Sequence, residues 1–70
     1  MNRARLKNRV VKVTGRTDMA NVLAELLGIS LASVSNKSTG RTPLTAEEIN
    51  RIRLAFGLTD RETIEWLVEC

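Results

Sequence analysis

The stretch Leu23-Ala24-Glu25-Leu26-Leu27-Gly28-Ile29-Ser30-Leu31-Ala32-Ser33-Val34-Ser35 decides the fold. Leu23 and Leu27 are spaced i, i+4 and share one helical face directed at a core. Ala24 stands where two helices cross, so a larger side chain would push them apart. Gly28 takes positive φ without steric cost and ends the first helix. Ile29 plugs the corner. Ser30 can accept a hydrogen bond from the free N–H groups of the next helix. Val34 returns that second helix to the core.

Two short helices joined by a sharp glycine turn make a helix-turn-helix, here spanning about residues 18–38. This is the unit that sets a helix into the DNA major groove. Upstream, Leu6, Val10 and Val13 fall at i, i+4, i+7 and predict a helix from about Ala4 to Val13. Thr14-Gly15-Arg16 breaks it. The second helix begins after Thr17 or Asp18, either of which can cap it. Its broad apolar face (Met19, Val22, Leu23, Leu26, Leu27) suits the central helix of a bundle. The third runs from Leu31 to about Lys37 or Ser38. Asn36 to Pro43 then form a polar loop punctuated by Gly40 and Pro43.

Downstream, Thr45-Ala46-Glu47-Glu48 is a capping box that opens a fourth helix with the stripe Ile49, Ile52, Leu54, Ala55 and Phe56. Gly57 closes it. Thr59-Asp60-Arg61-Glu62 is a second capping box and opens a fifth helix bearing Ile64, Trp66, Leu67 and Val68. With Ile64 at the origin of a helical wheel, Leu67 and Val68 lie within about 60° and Trp66 about 160° away. Trp66 therefore either wraps the core edge or serves as a dimer contact, since tryptophan is a frequent interface anchor. No alternating β-branched run reads as a strand. The expectation is an all-α single domain, residues 1–70, of four to five helices.

Seventy residues bury only a small core, so self-association is expected on size alone. There is one cysteine, Cys70, and no histidine, which leaves no disulfide framework and no Cys/His metal site. A lone terminal thiol suits a reducing, cytoplasmic setting. No apolar run approaches ~20 residues, so no membrane span is expected. The acids read as capping or solvent-facing groups, and Cys70 as a free thiol. No nucleophile–base pair or phosphate-cradling glycine loop is visible, so no catalytic residue, metal or cofactor is expected.

Net charge is +3, unevenly spread. Arg3, Arg5, Lys7, Arg9, Lys12 and Arg16 crowd the first sixteen residues without an acid, and the last third is net acidic. A basic front can be a solvated helix face. Beside a helix-turn-helix it suits approach to a polyanion in one orientation.

The pattern from Leu23 to Val34, with the Gly40-Arg41-Thr42-Pro43 loop and the capped fourth helix, resembles the lambda-repressor/Cro-like (Xre-like) helix-turn-helix family. It is most similar to short phage-encoded regulators. The resemblance implies a compact four- to five-helix domain that binds double-stranded operator DNA as a homodimer. It makes the third helix the recognition helix, with base contacts from Leu31, Ala32, Ser33, Ser35, Asn36 and Lys37. Asn36 can pair with adenine N6 and N7, and Leu31 or Ala32 can meet a thymine methyl. Phosphate contacts would come from Thr39, the Gly40 N–H, Arg41, Thr42, Arg3, Arg5, Lys7 and Arg9. Two positions depart from the family: Ala20 replaces a phosphate-clamping glutamine, and Lys37 stands where an aliphatic core residue is common. Two alternatives use the same fold: an antirepressor that docks on a phage repressor protein through its apolar helix tip, and an antitoxin-like regulator.

Overall fold

Gly28 makes the corner. In the computed structural model, which describes residues 1–68, helices α2 (Met19–Leu27) and α3 (Leu31–Ser38) turn by 108° across it. Gly28 has φ 68°, and its N–H and that of Ile29 both close on the Ala24 carbonyl. A side chain there would be strained whatever the space around it. Ser30 caps α3 by accepting the Ser33 N–H at 3.2 Å.

Around this unit lie α1 (Arg3–Thr14), α4 (Ala46–Phe56) and α5 (Asp60–Thr63), the last continuing as a π-helical stretch, Ile64–Val68. The domain is all-α, with five helices and no strand among the described residues. Leu6 and Val10 of α1, Leu23 of α2 and Ile52 of α4 form the fully enclosed centre. Val22, Leu27, Val34, Phe56, Leu58, Trp66 and Leu67 close around them. Each such side chain contributes about 1.5–3 kcal/mol relative to exposure. Among the described residues, no single helix is long and apolar enough to cross a membrane. Glu69 and Cys70, read from sequence as a solvent-facing acid and a free thiol, lie outside the described residues.

Several sequence expectations are corrected. Val13 is exposed because α1 outruns the core past Val10, and Leu54 and Ala55 face away from Ile52 on α4. Asp18 sits at the N-cap of α2 but makes no side-chain cap; its carboxylate instead holds Arg16 at 2.7 Å. On the last helix the buried stripe is Thr63, Trp66 and Leu67, while Ile64 and Val68 point outward. Those buried residues are at i, i+3, i+4, so a wheel anchored on Ile64 starts one residue late. Thr63 can join the core because its hydroxyl donates to the Thr59 carbonyl at 2.8 Å. Trp66 is thereby only 7% exposed, which removes it as a dimer contact.

Candidate nucleic-acid interface

The eight residues of α3 span about 12 Å, comparable to the width of the major groove. Only Val34 of this helix is buried. Leu31, Ala32 and Ser35 are exposed and Asn36 is half-buried. Among the described residues, the Asn36 side-chain amide has no hydrogen-bond partner, so both its donor and its acceptor remain available. Ser33 is partly engaged, since its hydroxyl accepts from Ser30 at 3.1 Å.

The turn after α3 is tied down from within. The Asn36 carbonyl accepts the N–H groups of Arg41 at 2.8 Å and Thr42 at 3.3 Å. The Gly40 N–H donates to the Lys37 carbonyl, and the Thr39 hydroxyl donates to the Ser35 carbonyl. These two groups, expected to grip phosphate, therefore spend their protons inside the turn. The exposed side chains of Arg41 and Thr42 remain free among the described residues.

Lys37 is the clearest departure from the expected base readers. Its Nζ is 2.8 Å from Glu48 Oε1 and 3.2 Å from the Pro43 carbonyl. The two charged side chains are only 15% and 13% exposed. Lys37 thus clamps the end of α3 to the start of α4 instead of pointing outward. The same Glu48 oxygen accepts the Thr45 N–H of the capping box at 2.9 Å. Hydrogen bonding from Lys37, then from Thr45, holds the Glu48 carboxyl below the usual carboxylate range.

Arg9 is likewise withdrawn from the expected phosphate contacts. It donates to the Phe56 and Gly57 carbonyls, each at 3.2 Å, and to Glu62 Oε2 at 2.7 Å. Its guanidinium carbon lies 5.3 Å from the Trp66 ring centroid, within cation–π range. It closes the C-terminal end of α4 and binds α1 to the α4–α5 junction. The Trp66 Nε1 is buried and has no hydrogen-bond partner among the described residues. At Glu62, the Thr59 N–H is the larger cause and Arg9 the next in lowering the carboxyl pKa.

Other cations are also paired. Arg16 donates to Asp18 and Glu25, and these hydrogen bonds, that to Asp18 first and that to Glu25 next, raise its pKa, while Arg16 lowers that of Asp18. Arg51 and Arg61 hold i, i+4 pairs with Glu47 and Glu65, and Arg53 donates to Asn50. Among the described residues, the cations left without an acid are Arg3, Arg5, Lys7, Lys12, Arg41 and Arg53. They do not all share one side. Arg3 and Lys7, at i, i+4, line a groove with Met1 and Met19 at the start of α2. Met1 also borders Gly40 and Lys37, which links this flank to the turn after α3. Arg5 and Lys12 lie on the other flank of α1, in a groove with Arg9, Glu62 and Trp66. Met1 therefore stands between Arg3 and Lys7 of α1 and the turn that carries Arg41. No family model, curated protein or solved structure matches the chain.

Proposed function

We propose that this protein is a phage or prophage transcriptional regulator of Cro-like type. It binds operator DNA in the major groove through α3 and acts as a homodimer in the cytoplasm. The observation that carries this reading is the exposed face of α3, which has an Asn36 amide free among the described residues and runs into a turn whose Arg41 is left without an acid there. Asn36 reads a base, Leu31 and Ala32 contact a thymine methyl, and Ser35 adds a hydroxyl. Arg41, Thr42, Arg3 and Lys7 hold phosphates and fix register without reading sequence. Repression follows by occlusion of a promoter.

Selection of bound DNA from a random pool tests this directly. A defined half-site is expected, with affinity that falls steeply as salt rises. Arg41→Ala weakens binding to every sequence and reduces the salt slope by about 1, whereas Asn36→Ala relaxes preference at one position at a cost of about 1–3 kcal/mol. Retention of random DNA with no enriched sequence would defeat the reading.

One observation favours a second reading. Leu31 is 51% exposed at the tip of α3, next to exposed Ala32, and an apolar tip also suits docking on a repressor protein. Leu31→Asp separates the two: it abolishes a protein complex in that case, and in the DNA reading it lowers affinity for the selected site.

A further inference from the structure

The outward face of α3 carries no charge. Around the helix axis, at about 100° per residue, Ala32 and Asn36 lie within about 20° of the point opposite buried Val34. Leu31 and Ser35 flank them, both exposed. Lys37 is the one ionisable side chain of the helix. It stands about 60° from Val34, on the core side. Its ammonium is held there by Glu48 Oε1 at 2.8 Å and the Pro43 carbonyl at 3.2 Å. The Ser33 hydroxyl accepts from Ser30, and the Ser38 hydroxyl donates to the Ser35 carbonyl. Among the described residues, the groups left wholly free along this face are Leu31, Ala32, the Ser35 hydroxyl and the Asn36 amide.

Each base asks for a different partner in the major groove. Guanine shows two acceptors, N7 and O6, which an arginine or lysine serves. Cytosine shows an N4 donor, which a carboxylate serves. The face of α3 offers neither a cation nor an acid. Adenine shows an acceptor at N7 beside a donor at N6, and one amide serves both. Against guanine the Asn36 amide oxygen meets an acceptor in place of a donor. Leu31 and Ala32 suit the thymine methyl, and against cytosine they leave the N4 amino group without a partner. Ala32 and Asn36 are one turn apart, about 6 Å along the axis, which matches about two base-pair steps. The whole helix, about 12 Å long, reaches about four pairs.

We propose that α3 is specific for a short block of A·T pairs. Asn36 selects adenine, Leu31 and Ala32 select the methyl groups of neighbouring thymines, and no guanine is read. Glu48 determines this specificity through Lys37, by keeping the single cation of the helix away from the bases. The inference rests on the operator reading above and narrows that reading to one class of sequence.

Selection of bound DNA by the full chain, followed by titration of the selected site carrying base analogues at fixed salt, tests it. A run of about four A·T pairs is expected in the half-site, with no required G·C pair inside it. Uracil removes only the methyl of thymine, and at a contacted thymine it lowers affinity about fourfold. An inosine–cytosine pair keeps the minor groove of A·T but shows the N7 and O6 acceptors of guanine in the major groove. In place of the pair read by Asn36 it lowers affinity about tenfold. Lys37→Met, with its helical circular dichroism intact, selects the same bases as wild type. Should that variant not fold, the wild-type selection and the two analogues decide by themselves. A required guanine inside the block overturns the inference and leaves operator binding standing. Unchanged affinity with both analogues also overturns it, because the preference would then lie in the minor groove or in DNA shape. Altered base preference in folded Lys37→Met returns Lys37 to the base readers and overturns the role of Glu48. A selection that enriches no sequence overturns the operator reading and this inference together.

Discussion

The two capping boxes have the same local chemistry and different tertiary employment. Thr45–Glu48 and Thr59–Glu62 both close reciprocally, hydroxyl to N–H and carboxylate to N–H. Each glutamate also holds one distant cation, Lys37 or Arg9. At Glu48 a single oxygen serves both the cap and the ammonium, inside a pair only 13–15% exposed. At Glu62 the duties are divided: Oε1 takes the Thr59 N–H and Oε2 takes Arg9, in a pair 23–25% exposed. The first latch joins α3 to α4 and sets the turn beside it. The second joins α1 to the α4–α5 junction, under Trp66. A motif that is purely local in sequence thus becomes a positioning device in one place and a structural staple in the other.

Glu48→Ala is expected to break the comparison most visibly. It removes a cap acceptor and leaves the Lys37 ammonium largely enclosed without its carboxylate, a loss of about 2 kcal/mol. In a domain this size that lowers the thermal midpoint by roughly 10 °C. Glu62→Ala should lower it less, because Arg9 keeps the Phe56 and Gly57 carbonyls and more solvent reaches the pair. A midpoint lower in Glu62→Ala than in Glu48→Ala would reverse the ranking.

The proposed DNA binding would sharpen the contrast. Glu48→Gln makes the molecule more cationic, which by bulk charge favours a polyanion. It is nevertheless expected to weaken binding to the selected site, because Lys37 loosens its hold on Pro43 and on the turn bearing Arg41. Glu62→Gln, remote from that turn, should bind at least as well as wild type. Titration of both variants against one operator at fixed salt checks this; tighter binding by Glu48→Gln would show that Lys37 is not a positioning residue.

The pH dependence is shared by both latches. Both carboxyls are held below their unperturbed value of 4.5, so the stabilisation they give is complete above that value. It is lost as pH falls through the lowered folded-state values. Melting followed by circular dichroism should show a steady midpoint from neutrality to about pH 5 and a decline below it. The Glu48→Gln/Glu62→Gln double variant should decline less over the same interval. The smallest effect belongs to the exposed i, i+4 pair Glu47–Arg51: Glu47→Gln is expected to move the midpoint by no more than about 3 °C.

Most of the scaffold is legible from short-range rules. The α3 span, the Ser30 cap, the Gly28 and Gly57 terminators and both capping boxes follow from contacts within four residues, and the structure places them as read. The candidate site is less legible. Lys37 and Arg9 look like free cations because their partners lie 11 and 53 residues away. The only hint is the position of Lys37, where an aliphatic side chain is common in the family it resembles. Of the two readings open for Trp66, core edge or dimer contact, the structure takes the first, because Thr63 carries its own hydrogen bond into the core and sets the buried stripe at Thr63, Trp66 and Leu67.

The sequence by itself therefore determined the helices, their ends and the corner at Gly28, since these depend on backbone torsions and bonds to near neighbours. Only the tertiary structure decided which charges remain available. An arginine or lysine is free to meet a phosphate only if no folded carboxylate or carbonyl has already taken it. That depends on which distant segments the buried apolar residues bring together.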